Sequence, residues 1–326
     1  MTDIERYLVE EIALDFRDGH ISRREALRRL GLMGLGATAA TSLLVTACGG
    51  EPANTAAPDA TGAAPVETAT PTATSSASEA TPAVTASAEP PGPPPVLPPS
   101  KPTEAITFPG PEKRTLQGAW ALADSPKGGV LVIHENKGLN DHTRHVAGRF
   151  AAAGYSALAI DLLSEEGGTA SLGDPANATA ALGKVPPERF VADMRAGLDE
   201  IAKRTKKKKL GVVGFCFGGG MTWRMVASKD ARVAAAIPFY GALPDGADFT
   251  GSKAAVLGIY AELDARVNAT RDAAKAALEK AKLVHEIVTF PGADHAFLND
   301  TGKRFNQAAA DGAWKKVLEW YGKYLG

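Results

Sequence analysis

Cys216 lies in the run Gly214-Phe215-Cys216-Phe217-Gly218-Gly219-Gly220, directly after the apolar stretch Leu210-Gly211-Val212-Val213. A thiol flanked at two residues on either side by glycine has the spacing of a nucleophile elbow. Such an elbow is a strained strand-to-helix turn that presents the reactive group and leaves no room for neighbouring side chains. At a helix N-terminus, backbone N–H groups and the helix dipole favour a thiolate and a developing oxyanion. A buried structural cysteine or a phosphate-binding loop would also suit a glycine-rich turn, but no G-K-[ST] follows and the G-x-G-x-x-G fingerprint is absent. A thiol nucleophile needs a base oriented by a third group, in the chain order nucleophile, acid, histidine. Ala261-Glu262-Leu263-Asp264 and Ala293-Asp294-His295 supply that order. His295 is the candidate base, and Asp264 is preferred to Glu262 as its orienter because it lies deeper in the loop beyond the strand.

These residues need a frame that brings loops together. Apolar runs of strand length are expected at 130–134, 156–161, 210–214, 233–240, 255–260 and 286–290, after β-prone segments near 106–108 and 116–122. Amphipathic stretches at 143–153, 188–203, 219–228, 271–281 and 305–324 alternate with them. That alternation predicts an α/β fold, a mostly parallel sheet with helices on both faces and its site beyond the carboxyl ends of the strands. Trp314 and Trp320 read as core contacts of the last helix.

With those motifs in place, residues 104–326 resemble the dienelactone hydrolase family. The loop His134-Glu135-Asn136-Lys137-Gly138-Leu139-Asn140 is similar to the family's glutamate-bearing loop, and Ala153-Gly154-Tyr155 with Ile160-Asp161-Leu162-Leu163 is family-like. The resemblance implies an α/β-hydrolase fold and a hydrolase that cleaves lactones or small carboxylic esters through a thioester on Cys216. It also implies that Glu135 helps deprotonate the thiol once substrate binds, and that the backbone N–H groups of Phe217 and Asn136 form the oxyanion hole. From position alone, Glu135 is equally a solvated loop charge. The family uses arginines to hold a substrate carboxylate, one of them four residues beyond the histidine; here that position is Asn299, with Arg304 nearby.

Outside this region the composition changes. Residues 1–48 read as a twin-arginine, lipoprotein-type export signal: Ser22-Arg23-Arg24-Glu25-Ala26-Leu27-Arg28 precedes a charge-free stretch, which ends in Val45-Thr46-Ala47-Cys48-Gly49, similar to a lipobox. Cleavage before Cys48 would leave a lipidated N-terminus. Residues 49–103 hold 13 of the 22 prolines and no Phe, Trp, Tyr or Ile, the composition of a disordered tether. The expectation is a monomer, exported and held by its lipid on the extracytoplasmic face of a membrane. Thirty-six Lys and Arg against 37 Asp and Glu leave no basic footprint for nucleic acid, and two cysteines make no disulfide framework. The basic run Lys203–Lys209 suits a helix end better than a lipid surface. His134, Asp141, His142 and His145 fall where a helix begins and lack a second ligand pair, so no metal or cofactor is expected. A general carboxylesterase or thioesterase, and a non-catalytic ligand-binding lipoprotein on the same fold, are the alternatives; intact Cys216, Asp264, His295 and Glu135 weigh against the last.

Overall fold

The computed structural model describes residues 1–47, 97, 99–206 and 208–326; Cys48 and nearly all of the expected tether lie outside the described residues. Eight strands form one sheet in the order β1-β2-β4-β3-β5-β6-β7-β8. They are β1 (Glu104–Pro109), β2 (Thr115–Ala121), β3 (Gly128–Ile133), β4 (Tyr155–Asp161), β5 (Leu210–Phe215), β6 (Val233–Phe239), β7 (Ala255–Ala261) and β8 (His285–Phe290). β1 pairs antiparallel with β2 and β2 with β4, while every pairing from β4 through β8 is parallel. The central strands β3, β5 and β7 are buried along their whole length, as expected of continuous apolar runs covered on both faces. β1 alternates in exposure and β8 is half-buried, which suits the two edges.

The crossovers are helical. α4 (Asp141–Ala152) links β3 to β4, α5 (Pro175–Lys184) and α6 (Pro187–Arg204) link β4 to β5, and α7 (Phe217–Ala227) links β5 to β6. α8 (Ala265–Asn268) and α9 (Arg271–Lys280) precede β8, and α10 (Gln307–Tyr324) ends the chain. Asn140 and Asn306 cap α4 and α10 by accepting from the backbone N–H groups of Thr143 and Ala309. One face of the sheet packs Phe150 of α4 on Trp314 and Tyr321 of α10. The opposite face buries Phe190, Met194 and Leu198 of α6 with Trp223 of α7.

The first 47 residues are also structured. α1 (Asp3–Arg17), α2 (Arg23–Leu32) and α3 (Ala37–Ala47) join the second core through Ile4, Leu8, Ile12, Ala26, Leu30 and Leu44. Thr2 and Glu5 form a capping box at the start of α1. Ser22 caps α2, so Ser-Arg-Arg-Glu is also a helix start, with Arg23 and Arg24 exposed. Among the described residues no helix is long and apolar enough to cross a membrane.

Candidate functional site

Each candidate residue follows the carboxyl end of a parallel strand. Cys216 comes directly after β5, Asp264 after β7, His295 after β8, and Glu135 two residues beyond β3. The elbow geometry is explicit at Cys216, whose backbone sits at φ 58°, ψ −117° between strand and helix, a conformation costly for a residue with a Cβ. The turn closes because Gly214 and Gly218 lack side chains. A Cβ on Gly214 would stand 2.0 Å from the Gly218 carbonyl oxygen, and one on Gly218 would stand 2.5 Å from that of Ile133.

His295 Nδ1 lies 2.5 Å from Asp264 Oδ2, and both residues are buried. Asp264 also accepts from the backbone N–H of Val267, which fixes its carboxylate at the head of α8. Glu262 instead accepts from Gly292 N and takes no part in orienting the imidazole. Cys216 Sγ, a ring nitrogen of His295 and a carboxylate oxygen of Glu11 all lie within 4.8 Å of one another. Because Nδ1 is committed to Asp264, Nε2 is the nitrogen available to the thiol. Burial alone would disfavour an imidazolium, but the charges of Glu11, Cys216 and Asp264 outweigh it and hold the His295 pKa well above its ordinary value. Burial likewise pushes Asp264 upward, yet the His295 charge and hydrogen bond hold its carboxyl below the usual range.

Glu135 is buried. Its Oε2 accepts from Asn299 Nδ2 at 2.8 Å, while its Oε1 has no hydrogen-bond partner. Asn299 therefore serves as the partner of Glu135. The loop carrying Glu135 is pinned by His134 Nδ1 against the Glu135 carbonyl at 2.6 Å and by Thr179 Oγ1 donating to the Asn136 carbonyl at 2.8 Å. A cavity of about 320 Å³ joins Cys216, His295, Glu135, Asn136, Asn299 and Arg304. Phe217 is the first residue of α7, so its backbone N–H belongs to the helix N-terminus beside the thiol. Tyr240, at the end of β6, packs its ring 5.2 Å from that of His295, centroid to centroid.

Reasoning from the sequence missed two residues at this site, both on α1. Tyr7 Oη lies 3.2 Å from Cys216 Sγ, and Glu11 Oε1 lies 3.5 Å from His295 Nε2. Glu11 also pairs with Arg266 and, at 3.6 Å, with Arg304, which in turn lies 3.4 Å from Asp15. The guanidinium of Arg266 stacks on the Tyr7 ring at 4.1 Å. The available signal was spacing: Tyr7, Glu11 and Asp15 recur every four residues and share a helix face, beside the apolar stripe Ile4, Leu8 and Ile12. Glu11, Cys216 and His295 are also ligand types for a metal, but both Glu11 oxygens already face cations. The histidines near α4 do not converge: His134 is held by Glu135 O, His142 pairs with Asp300, and His145 is exposed.

The arrangement has a thiol at an elbow, a carboxylate-oriented imidazole and a buried glutamate around one cavity, which suits acyl transfer. Comparison with known proteins agrees. Residues 116–325 match the model of the Dienelactone hydrolase family. A provisionally named carboxymethylenebutenolidase of Escherichia coli O157:H7 is 32% identical over 225 residues, covering 63% of this chain and 80% of its own. A relative of the same provisional name from Saccharolobus solfataricus is 29% identical over 232 residues, covering 60% and 90% respectively. A crystal structure from Klebsiella pneumoniae subsp. pneumoniae MGH 78578, provisionally described as a dienelactone hydrolase, superposes with a TM-score of 0.60 at 28% identity. That match covers 69% of this chain and all of the other. The family match spans most of the sheet and all four strand ends described above, and the chain belongs to the dienelactone hydrolase family.

Proposed function

We propose that the protein hydrolyses lactones or small carboxylic esters through Cys216, His295 and Asp264. The 2.5 Å contact between His295 and Asp264 carries this reading, because it orients the imidazole ring beside an elbow thiol. In the proposed reaction the Cys216 thiolate attacks the acyl carbon, and the backbone N–H groups of Phe217 and Asn136 stabilise the oxyanion. The His295 imidazolium protonates the departing oxygen, leaving a thioester on sulfur. His295 then takes a proton from water as the water attacks the thioester. The acid is released, sulfur leaves as thiolate and the imidazolium is restored; with a lactone, the departing hydroxyl stays on the released acid. Glu135, with one buried oxygen unpartnered, serves in this scheme as the group that takes the proton of the resting thiol when substrate arrives and returns it to the sulfur once the acid has left.

The names of the relatives point to a carboxylated lactone, and of the cationic side chains that line the cavity (Arg29, Lys137, Lys303 and Arg304) Arg304 is the candidate to meet its carboxylate, in exchange for its pairing with Glu11 and Asp15. Acid release from butyrolactones and short-chain p-nitrophenyl esters by the full chain, against Cys216→Ala, tests the reading. Loss of hydrolysis in a folded Cys216→Ala is the expected result, and equal rates would refute it. The exposed Arg23-Arg24 pair and the lipobox-like run to Cys48 support a further part of the proposal: export by the twin-arginine route and anchoring through lipid on Cys48.

A further inference from the structure

We infer that the mouth of the catalytic site is a docking surface whose occupant is this chain's own helix α1, and that in this arrangement α1 holds the enzyme closed. The inference rests on the thiol reading of the site. Tyr7 Oη stands 3.2 Å from Cys216 Sγ, at the separation a reacting acyl carbon must reach. Glu11 Oε1 stands 3.5 Å from His295 Nε2, the atom that must hand a proton to the leaving oxygen and then take one from water. One helix thus fills the space beside both the nucleophile and the base. The helix lines two cavities in succession: its first half, with Tyr7, lines one of about 170 Å³ with Phe217 and Met221, and Glu11 and Asp15 line the 320 Å³ cavity containing Cys216.

The seat is built from two kinds of contact. Charges fix the register on the catalytic side, with Asp3 on Arg224, Arg6 on Asp245 at 3.2 Å, and Glu11 on Arg266. On its other face, Ile4, Leu8 and Ile12 are buried in the core shared with α2, α3 and α5. Lifting α1 would expose that stripe to water, so in the full chain the open arrangement is a minor population and turnover is slowed rather than abolished. Removal of the whole helical segment would open it. α3 ends at Ala47, next to the Cys48 at which the proposed leader is cut. Processing there would carry the plug away and would couple activity to export.

The test uses the full chain in a Cys48→Ala background, so that Cys216 is the sole thiol. Iodoacetamide labelling of that thiol is measured beside p-nitrophenyl acetate hydrolysis. Leu8→Asp, which unseats α1 without touching the site, should raise the labelling rate and kcat/KM at least tenfold. Glu11→Gln, which preserves shape, should raise both by a smaller factor. A synthetic peptide of residues 2–21 added to Leu8→Asp should slow both again. Circular dichroism checks that each variant is folded. Labelling as fast in the parent as in both variants would overturn the inference, as would a fall in kcat/KM in Glu11→Gln, which would make α1 part of the working site. Faster labelling with no hydrolysis in any form would uphold the plug while refuting the thioester reading.

Discussion

Asn299 Nδ2 donates a 2.8 Å hydrogen bond to Glu135 Oε2, joining the loop after β8 to the loop after β3 across the cavity. Asn299 stands where the resemblance implies an arginine for a substrate carboxylate, and its amide is engaged with the protein's own carboxylate. Asn299→Ala would leave the buried Glu135 without that partner, at a cost of about 1–3 kcal/mol, readable as a lower urea midpoint. An arginine introduced by Asn299→Arg is expected to pair with Glu135, so turnover of neutral and carboxylated esters should fall together. A selective gain for the carboxylated ester would show that the new guanidinium reaches substrate instead.

Glu135→Gln separates basicity from shape. If Glu135 takes the thiol proton, turnover should drop by a factor on the order of 10²–10⁴, the range for a general base, while KM changes little. Equal kcat in the two forms across pH 6–9 would return Glu135 to a structural role.

Gly214→Ala should be severe for a purely steric reason. Its Cβ would stand 2.0 Å from a backbone oxygen that cannot move aside without distorting the elbow. We expect a loss of about 1–3 kcal/mol or more together with loss of activity, measured by urea unfolding and ester hydrolysis. Native stability in this variant would contradict the packing described for the turn.

Much of this was legible in the sequence, for identifiable reasons. β3, β5 and β7 are continuous apolar runs, and the loops after them carry Glu135, Cys216 and Asp264 because parallel sheets place functional loops at that end. α5 was not anticipated: Pro175–Lys184 is rich in alanine and lacks a strong apolar stripe of its own. The role of α1 was hidden differently. Tyr7 and Glu11 gain their meaning from Cys216 and His295, more than two hundred residues away. No local pattern records such a contact. The partner of Glu135 was hidden for the same reason, since Asn299 is informative only once the two loops are brought together.

Stability should depend on pH in a defined sense. His295 is held above its ordinary range, so its contribution is complete below an unfolded pKa near 6.5 and is lost as pH rises toward the folded value. Asp264 and Glu11 are held below theirs despite burial, so their contributions are present above about pH 4 and lost as pH falls through their folded values. The urea midpoint should therefore be higher at pH 6 than at pH 9. The difference should shrink in Glu11→Gln, where one charge holding His295 protonated is gone. A wild-type midpoint that is flat from pH 6 to 9 would contradict this coupling.

If the leader reading holds, Arg23→Lys with Arg24→Lys should block export, and Cys48→Ala should release the exported domain from membranes. Intact-mass analysis of membrane fractions should find acyl mass on a chain beginning at Cys48. An unmodified, soluble mature chain would remove the lipid anchor from the account.

The most direct measurement of the central claim is a mass spectrum of the enzyme quenched in acid during turnover of a p-nitrophenyl ester. The peptide carrying Cys216 should gain the mass of the acyl group and lose it on treatment with neutral hydroxylamine, the behaviour of a thioester. Hydrolysis that proceeds with no adduct on that peptide, or that survives unchanged in Cys216→Ala, would contradict a mechanism built on this thiol.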